Sequence, residues 1–189
     1  MGRPRTFDED AAVDAAVDLF WTKGYRATTP AELGAAMGLG KGSVYHAFGS
    51  KHELYRRALA RYVEGQRAQF LEMLAGPGPA DQRLRRALGL VLDVGSDARG
   101  CLVTTTAVES SPDDEVVAEF VRGVLAGQRE ALRAVIEDGR RTGDLPRVDG
   151  SLDAGVAADA VLALLNGARV LQRIGAPPTS LVDAAMRLI

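Results

Sequence analysis

The side chains whose types and spacing could do chemistry cluster between residues 40 and 46. Lys41, Ser43, Tyr45 and His46 fall on one side of a short helical segment, with Val44 and Phe48 on the other. A cation, a hydroxyl, a phenol and an imidazole on one face suit a polyanion. The lysine neutralises phosphate, and the others hydrogen-bond phosphates or base edges. Gly40 and Gly42 leave the start of that segment without bulk, so its backbone and positive dipole end can approach a phosphate closely. Catalytic patterns are missing. There are two histidines, His46 and His52, and one cysteine. There is no Gly-x-Ser-x-Gly elbow, and GLGKG at 38–42 lacks the preceding strand and the spacing of a phosphate loop. An enzyme is not expected, nor a cofactor. No tandem histidines or carboxylate clusters suggest a metal.

Charge distribution supports the polyanion reading better than net charge does. The 189 residues carry a formal charge of −2. Residues 1–62 hold nine Lys and Arg against seven Asp and Glu, whereas 63–189 hold fourteen against eighteen, and all three lysines lie in the first third. Apolar residues make up 47% and charged residues 25%, the balance of a globular chain with a substantial core. No run of about 18 uncharged apolar residues is present. The opening MGRPRTFDED lacks the apolar stretch of a secretion signal, and a lone Cys101 cannot form an internal disulfide. These features predict a cytoplasmic protein with no membrane partner.

The elements that must position this face are helices. Strand signals are nearly absent, and apolar residues recur at helical spacing. A first helix is expected over about 8–23, with Val13, Ala16, Val17 and Phe20 on one stripe, Asp8 in its first turn and Gly24 at its end. Thr29, Pro30 and Glu32 punctuate the start of a second, as N-cap, first helical residue and capping-box partner, and Gly38 stops it. A third spans about 41–48. Ser50 to Glu53 forms another capping box and launches a long fourth helix. Further helices are expected at about 80–95, 101–110, 112–141 (opened by Pro112), 151–174 and 180–188, about nine in all. Segments 28–48 thus have the spacing of a helix-turn-helix, braced where Leu39, Val44 and Phe48 pack on Leu33, Met37 and the first stripe.

The stretch TTPAELGAAMGLGKGSVYHAFGSKHELYRRAL resembles the head of the TetR family of transcription regulators. Lys41, Gly42, Ser43, Tyr45, Phe48, Ser50, Lys51 and Leu54 match its pattern, and the upstream LFWTKGYRATT is similar to the family's first helix and following loop. Gly40 departs from relatives that carry Ser or Thr there. The resemblance covers about fifty residues. It implies an all-α fold in which a three-helix DNA-reading head, residues 1–50 with the start of the fourth helix to about 60, joins a helical body, 51–189. It implies that Lys41, Gly42, Ser43, Tyr45 and His46 contact bases or phosphates, that Thr28, Thr29 and Lys51 contact phosphates, and that Arg3 and Arg5 form a basic arm. The partners implied are a palindromic double-stranded operator, a second copy of the chain and a small-molecule effector. The function expected is a ligand-released repressor. A helical interaction module without DNA binding is the other reading, against which Lys41, Tyr45 and Lys51 stand.

The eighth helix is apolar on most sides. Ala157, Val161, Leu164, Ala168 and Leu171 step by 4, 3, 4, 3, and with Leu181, Val182 and Ala185 they form the expected homodimer face, an intrachain core being the alternative. By analogy with the family, helices four to seven enclose the effector cavity. Its expected lining is Tyr62, Gln66, Phe70, Met73, Cys101, Thr104, Thr105, Val108, Phe120, Val124 and Gln128, a set suited to a neutral or lightly polar ligand. Cys101, at the start of the sixth helix beside Arg99, is also a candidate oxidant or electrophile sensor, although a free cysteine is usually a small core residue.

Overall fold

The computed structural model describes residues 7–93, 99–145, 152–175 and 180–189. These form nine α-helices and no strands: α1 (Glu9–Lys23), α2 (Pro30–Ala36), α3 (Lys41–Phe48), α4 (Lys51–Ala75), α5 (Ala80–Asp93), α6 (Leu102–Glu109), α7 (Glu115–Thr142), α8 (Ala154–Arg173) and α9 (Leu181–Met186). Asp8 lies just outside α1 as its N-cap, accepting from the amides of Asp10 at 3.0 Å and Ala11 at 3.2 Å, instead of within the first turn. Pro112 does not open α7. It sits in a 3-10 turn, Ser111–Asp113, and Asp114 caps α7 by accepting from the Val117 amide at 3.1 Å. A carboxylate at that position satisfies an orphan N–H that proline lacks the means to satisfy.

The packing of α1 to α3 and the first turns of α4 is one apolar cluster. Phe20, Leu33, Val44, Phe48, Leu54 and Tyr55 are all essentially inaccessible, and Leu39, Met37 and Val13 close its edges. The fully buried line on α1 runs through Ala12, Ala16 and Phe20, so Ala16 and Phe20 of the expected stripe are at its centre while Val13 and Val17 lie at its edge. Val17 also packs, with Trp21, against the body cluster that holds Tyr62, Leu102 and Val121. The first helix therefore belongs to both halves.

The body core is built from the end of α4 and from α5, α7, α8 and α9, through Leu74, Leu84, Leu88, Leu132, Ile136, Val161 and Ala185. Full burial of each large side chain there contributes about 1.5–3 kcal/mol. By length and composition α8 would suffice to cross a bilayer. Here it packs as a core helix against α7, α5 and α9. Backbone freedom matters at Gly139, where a Cβ would lie 2.5 Å from Ala80 Cβ, so α7 approaches the start of α5 more closely than alanine allows.

Candidate nucleic-acid interface and body cavity

The turn between α2 and α3 is held by backbone geometry. The Leu39 amide donates to the Gly34 carbonyl at 2.7 Å and the Gly38 amide to Ala35 at 3.3 Å, with Gly38 at φ +66°. This is a Schellman stop, in which the left-handed residue satisfies carbonyls that the helix end would leave unpaired. Thr29 and Glu32 form a complete capping box at the other end of α2, and Glu32 also pairs with Lys23. Those bonds hold the Glu32 carboxyl at about 2, with the Lys23 ammonium the largest cause and the Thr29 amide and hydroxyl next.

On α3 the two sides are sharply unlike. Val44 and Phe48 are 1% exposed, whereas Gly42, Ser43, Tyr45 and His46 face outward, Tyr45 at 40%. Gly40 caps the helix without a side-chain bond, leaving its first N–H groups open. Lys51 begins α4 half-buried, its ammonium 4.3 Å from the centre of the Tyr25 ring. That burial pushes its pKa down, against the pull of Glu109.

The head is fastened to the body through both ends of α6. At the C-terminal end, the Glu109 carboxylate accepts from the backbone amides of Tyr25 at 3.0 Å and Arg26 at 2.7 Å, and Arg26 pairs with Asp113. Gly24, at φ +83°, lies against it so closely that a Cβ would stand 2.7 Å from Glu109 Oε2. Midway, the Tyr55 hydroxyl donates to Thr106 Oγ1 at 2.8 Å, since the Thr106 hydroxyl itself donates to the Leu102 carbonyl. Before the N-terminal end, Trp21 Nε1 donates to the Gly100 carbonyl at 3.2 Å, and the Arg99 guanidinium lies over the indole at 3.8 Å while pairing with Asp18.

A cavity of about 620 Å³ opens on the other side of α6. Its walls come from α4 (Tyr62, Val63, Gln66, Phe70), the start of α6 (Cys101, Val103), α7 (Val117, Phe120, Val124, Gln128) and α8 (Leu162, Asn166, Arg169). Volume and lining are those of a small-molecule site. Burial pushes the Tyr62 phenol well above its ordinary pKa, so it stays protonated. Tyr62 also stands edge-on to Trp21, ring centres 4.9 Å apart, which links the cavity wall to α1.

Residues 12–58 match the family described as bacterial regulatory proteins, tetR family, and residues 80–188 match the tetracyclin repressor-like C-terminal domain. The chain belongs to the TetR family. This TetR-family protein is 27% identical to the repressor ComR of Escherichia coli strain K12 over 188 residues, covering 97% of this chain and 88% of ComR. It is 28% identical over 123 residues to the regulator YezE of Bacillus subtilis strain 168, covering 64% of this chain and 63% of YezE, just under two thirds of that relative. The TetR family regulator CifR, solved as a cysteine mutant with 26-bp double-strand operator DNA, superposes with a TM-score of 0.84 at 30% identity over 98% of both chains. The protein is accordingly a DNA-binding transcriptional regulator, as its relatives are, and not an enzyme.

Several expected residues hold other positions in this TetR-family chain. Thr28 is 1% exposed and its hydroxyl donates to the Gly24 carbonyl at 2.7 Å, so its side chain closes the loop after α1 and is turned away from the surface. Thr29, Gly42, Ser43, Tyr45 and His46 are exposed. Arg3 and Arg5 lie outside the described residues, as does the side chain of Lys41. Of the expected lining, Tyr62, Gln66, Phe70, Cys101, Phe120, Val124 and Gln128 line the cavity. Met73 packs into the body core, Thr104 donates to Asn166 Oδ1 at 2.9 Å, Thr105 donates to the Cys101 carbonyl at 3.1 Å, and Val108 faces outward. The fourth wall is α8, not α5.

Half of the expected dimer stripe lies inside the protomer. Ala157, Val161, Ala168 and Ala185 are 0–2% exposed inside the protomer, and Leu164 and Val182 pack against the same core. Leu164, Leu181 and Val182 are half-buried and Leu171 is exposed. The exposed apolar side of α8 carries Val156, Val170, Leu171 and Ile174. Glu109, Asn166 and Arg169 escaped the sequence reading. A charge inside an otherwise apolar helix was the available signal for Arg169.

Proposed function

We propose that this regulator is a ligand-responsive repressor that binds a palindromic operator as a homodimer and is released by a small molecule. One observation carries the reading. The single helix α4 holds head residues Leu54, Tyr55 and Ala58 in its first turns and cavity residues Tyr62, Gln66 and Phe70 further along. At 25 residues it is a rod of about 37 Å. A ligand that tilts this rod displaces the head. In this reading residues 1–50, with the start of α4, read DNA, and 51–189 sense and dimerise. Lys41, Ser43, Tyr45 and His46 contact the duplex from α3, the Gly42 backbone approaches a phosphate, and Thr29 and Lys51 contact phosphates. Two heads on a twofold axis read half-sites about 34–36 Å apart. The face of α8 bearing Val156, Val170, Leu171 and Ile174 meets its symmetry mate. Near-complete release requires the ligand to prefer the DNA-free state by roughly 10⁴-fold, about 5.5 kcal/mol. The setting is cytoplasmic.

The test is a gel shift with intergenic DNA flanking the protein's own gene, titrated with salt. Binding that weakens steeply with salt supports the reading. No shift at low salt removes it and favours an interaction module.

A second reading rests on Cys101, which lines the cavity half-buried. An electrophile held there would alkylate the thiol, and the adduct would be the signal. Native protein that takes up no iodoacetamide at neutral pH rules this out.

A further inference from the structure

The cavity contains one group that its apolar walls do not explain. Arg169 on α8 is 6% exposed and lines the cavity. Its positive charge is a small downward pull on the Tyr62 pKa, which burial raises. It forms no ion pair and no hydrogen bond with any described residue. The half-buried arginines of the body are matched: Arg83 with Asp138, Arg129 with Asp159, Arg140 with the carbonyls of Leu152 and Ile189. A mostly buried cation without a counter-ion is costly. Its backbone packs closely on Gly100, where a Cβ would stand 2.8 Å from the Arg169 carbonyl. The remaining charges on the lining are Arg56, already paired with Glu53, the exposed Arg67, and Glu119, which is exposed on α7. The balance is positive.

We propose that the cavity takes an amphipathic organic carboxylate whose head group is clasped by the Arg169 guanidinium, with the Asn166 amide one turn away on the same side of α8. The tail lies among Phe70, Phe120 and Val124. One planar fork matches one carboxylate through two parallel hydrogen bonds. Asn166 is preset for this, its Oδ1 taken by Thr104 and one Nδ2 hydrogen by the Leu162 carbonyl at 2.9 Å, leaving the second hydrogen free to donate. The expected lining suits a neutral or lightly polar ligand, and Arg169 adds to it the charge that favours an anionic head group. This inference rests on the ligand-responsive reading and names its ligand class.

The experiment titrates the full chain with decanoate and with biphenyl carboxylate, each beside its uncharged primary amide. Calorimetry and the fluorescence of Trp21, the sole tryptophan and the neighbour of Tyr62, follow binding. Each acid is expected to bind at least about tenfold more tightly than its amide. Arg169→Met is expected to erase that difference while leaving amide binding unchanged, and Arg169→Lys to keep part of it. Equal affinity for acid and amide in the natural chain overturns the proposal, as does an acid preference that survives Arg169→Met, or no binding of either acid up to about 1 mM. If Arg169→Met does not fold, the natural chain alone decides between these outcomes. Operator binding by ligand-free protein is measured separately. Loss of the acid preference with DNA binding intact sinks only the ligand class, whereas acid binding without DNA binding sinks the repressor.

Discussion

Replacing Glu109 by alanine should loosen the head and weaken its link to the cavity, a link that α4 also makes. The carboxylate accepts two backbone amides from the loop after α1, Tyr25 at 3.0 Å in a partly buried setting and Arg26 at 2.7 Å in an exposed one. A hydrogen bond to a charged group contributes about 1.5–3 kcal/mol when buried. Water replaces most of that at the exposed Arg26 amide, so the loss is set mainly by Tyr25 and comes to about 2 kcal/mol. For a chain of this size that lowers Tm by roughly 4–8 °C. Glu109→Gln retains a neutral acceptor and should lose about half as much. Urea unfolding measures the first quantity. The second is read by titrating effector into a preformed DNA complex. Glu109→Ala should bind effector and operator with little change in either affinity alone, but the effector should weaken operator binding far less than in the natural protein. This follows because α6 touches the cavity at its start and the head at its end, and coupling is the only property that needs both. A variant within about 0.5 kcal/mol of natural stability would show that water fully replaces the carboxylate. A variant that still releases DNA completely would refute a part for the joint and leave the coupling to α4 alone.

Three further outcomes follow from the same geometry. Tyr45→Ala and His46→Ala should each weaken operator binding by about 1–3 kcal/mol in a gel shift, with Tm unchanged because both are exposed, whereas Val44→Asp should unfold the head. The double change Val170→Asp with Ile174→Asp should yield folded monomers in sedimentation velocity, and a dimer that persists would move the interface off this face of α8. Glu32 has its pKa depressed from near 4.5 to about 2, so its share of stability is fully present above pH 4.5 and is lost as pH falls towards 2. The Tm of the natural protein should therefore drop more over that interval than that of Glu32→Gln, and parallel curves would count against the capping box.

The sequence by itself determined the head. Thr29, Pro30 and Glu32, then Gly38 and Leu39, then Ser50, act through bonds between residues two to five apart, so their geometry is written in local order and α3 emerges with the boundaries expected for it. The capping box at Ser50 is only half like its sequence pattern. Ser50 accepts from the Glu53 amide, but the Glu53 carboxylate turns to Arg56 and Arg57. The body was less legible. A helix that is apolar on two sides, as α8 is, shows a stripe at Ala157, Val161 and Ala168 without saying whether a partner chain or its own core lies against it. Only the placement of α5, α7 and α9 decided that this stripe is interior and that Val170 and Ile174 are open. The cavity was undecided for the same reason. Tyr62, Cys101, Phe120 and Arg169 come from four helices far apart in sequence, and whether a polar side chain among them is satisfied depends on contacts that no local period encodes. Caps and turns are resolved within one or two turns of chain, whereas burial, pairing and enclosed volume exist only once distant helices have packed.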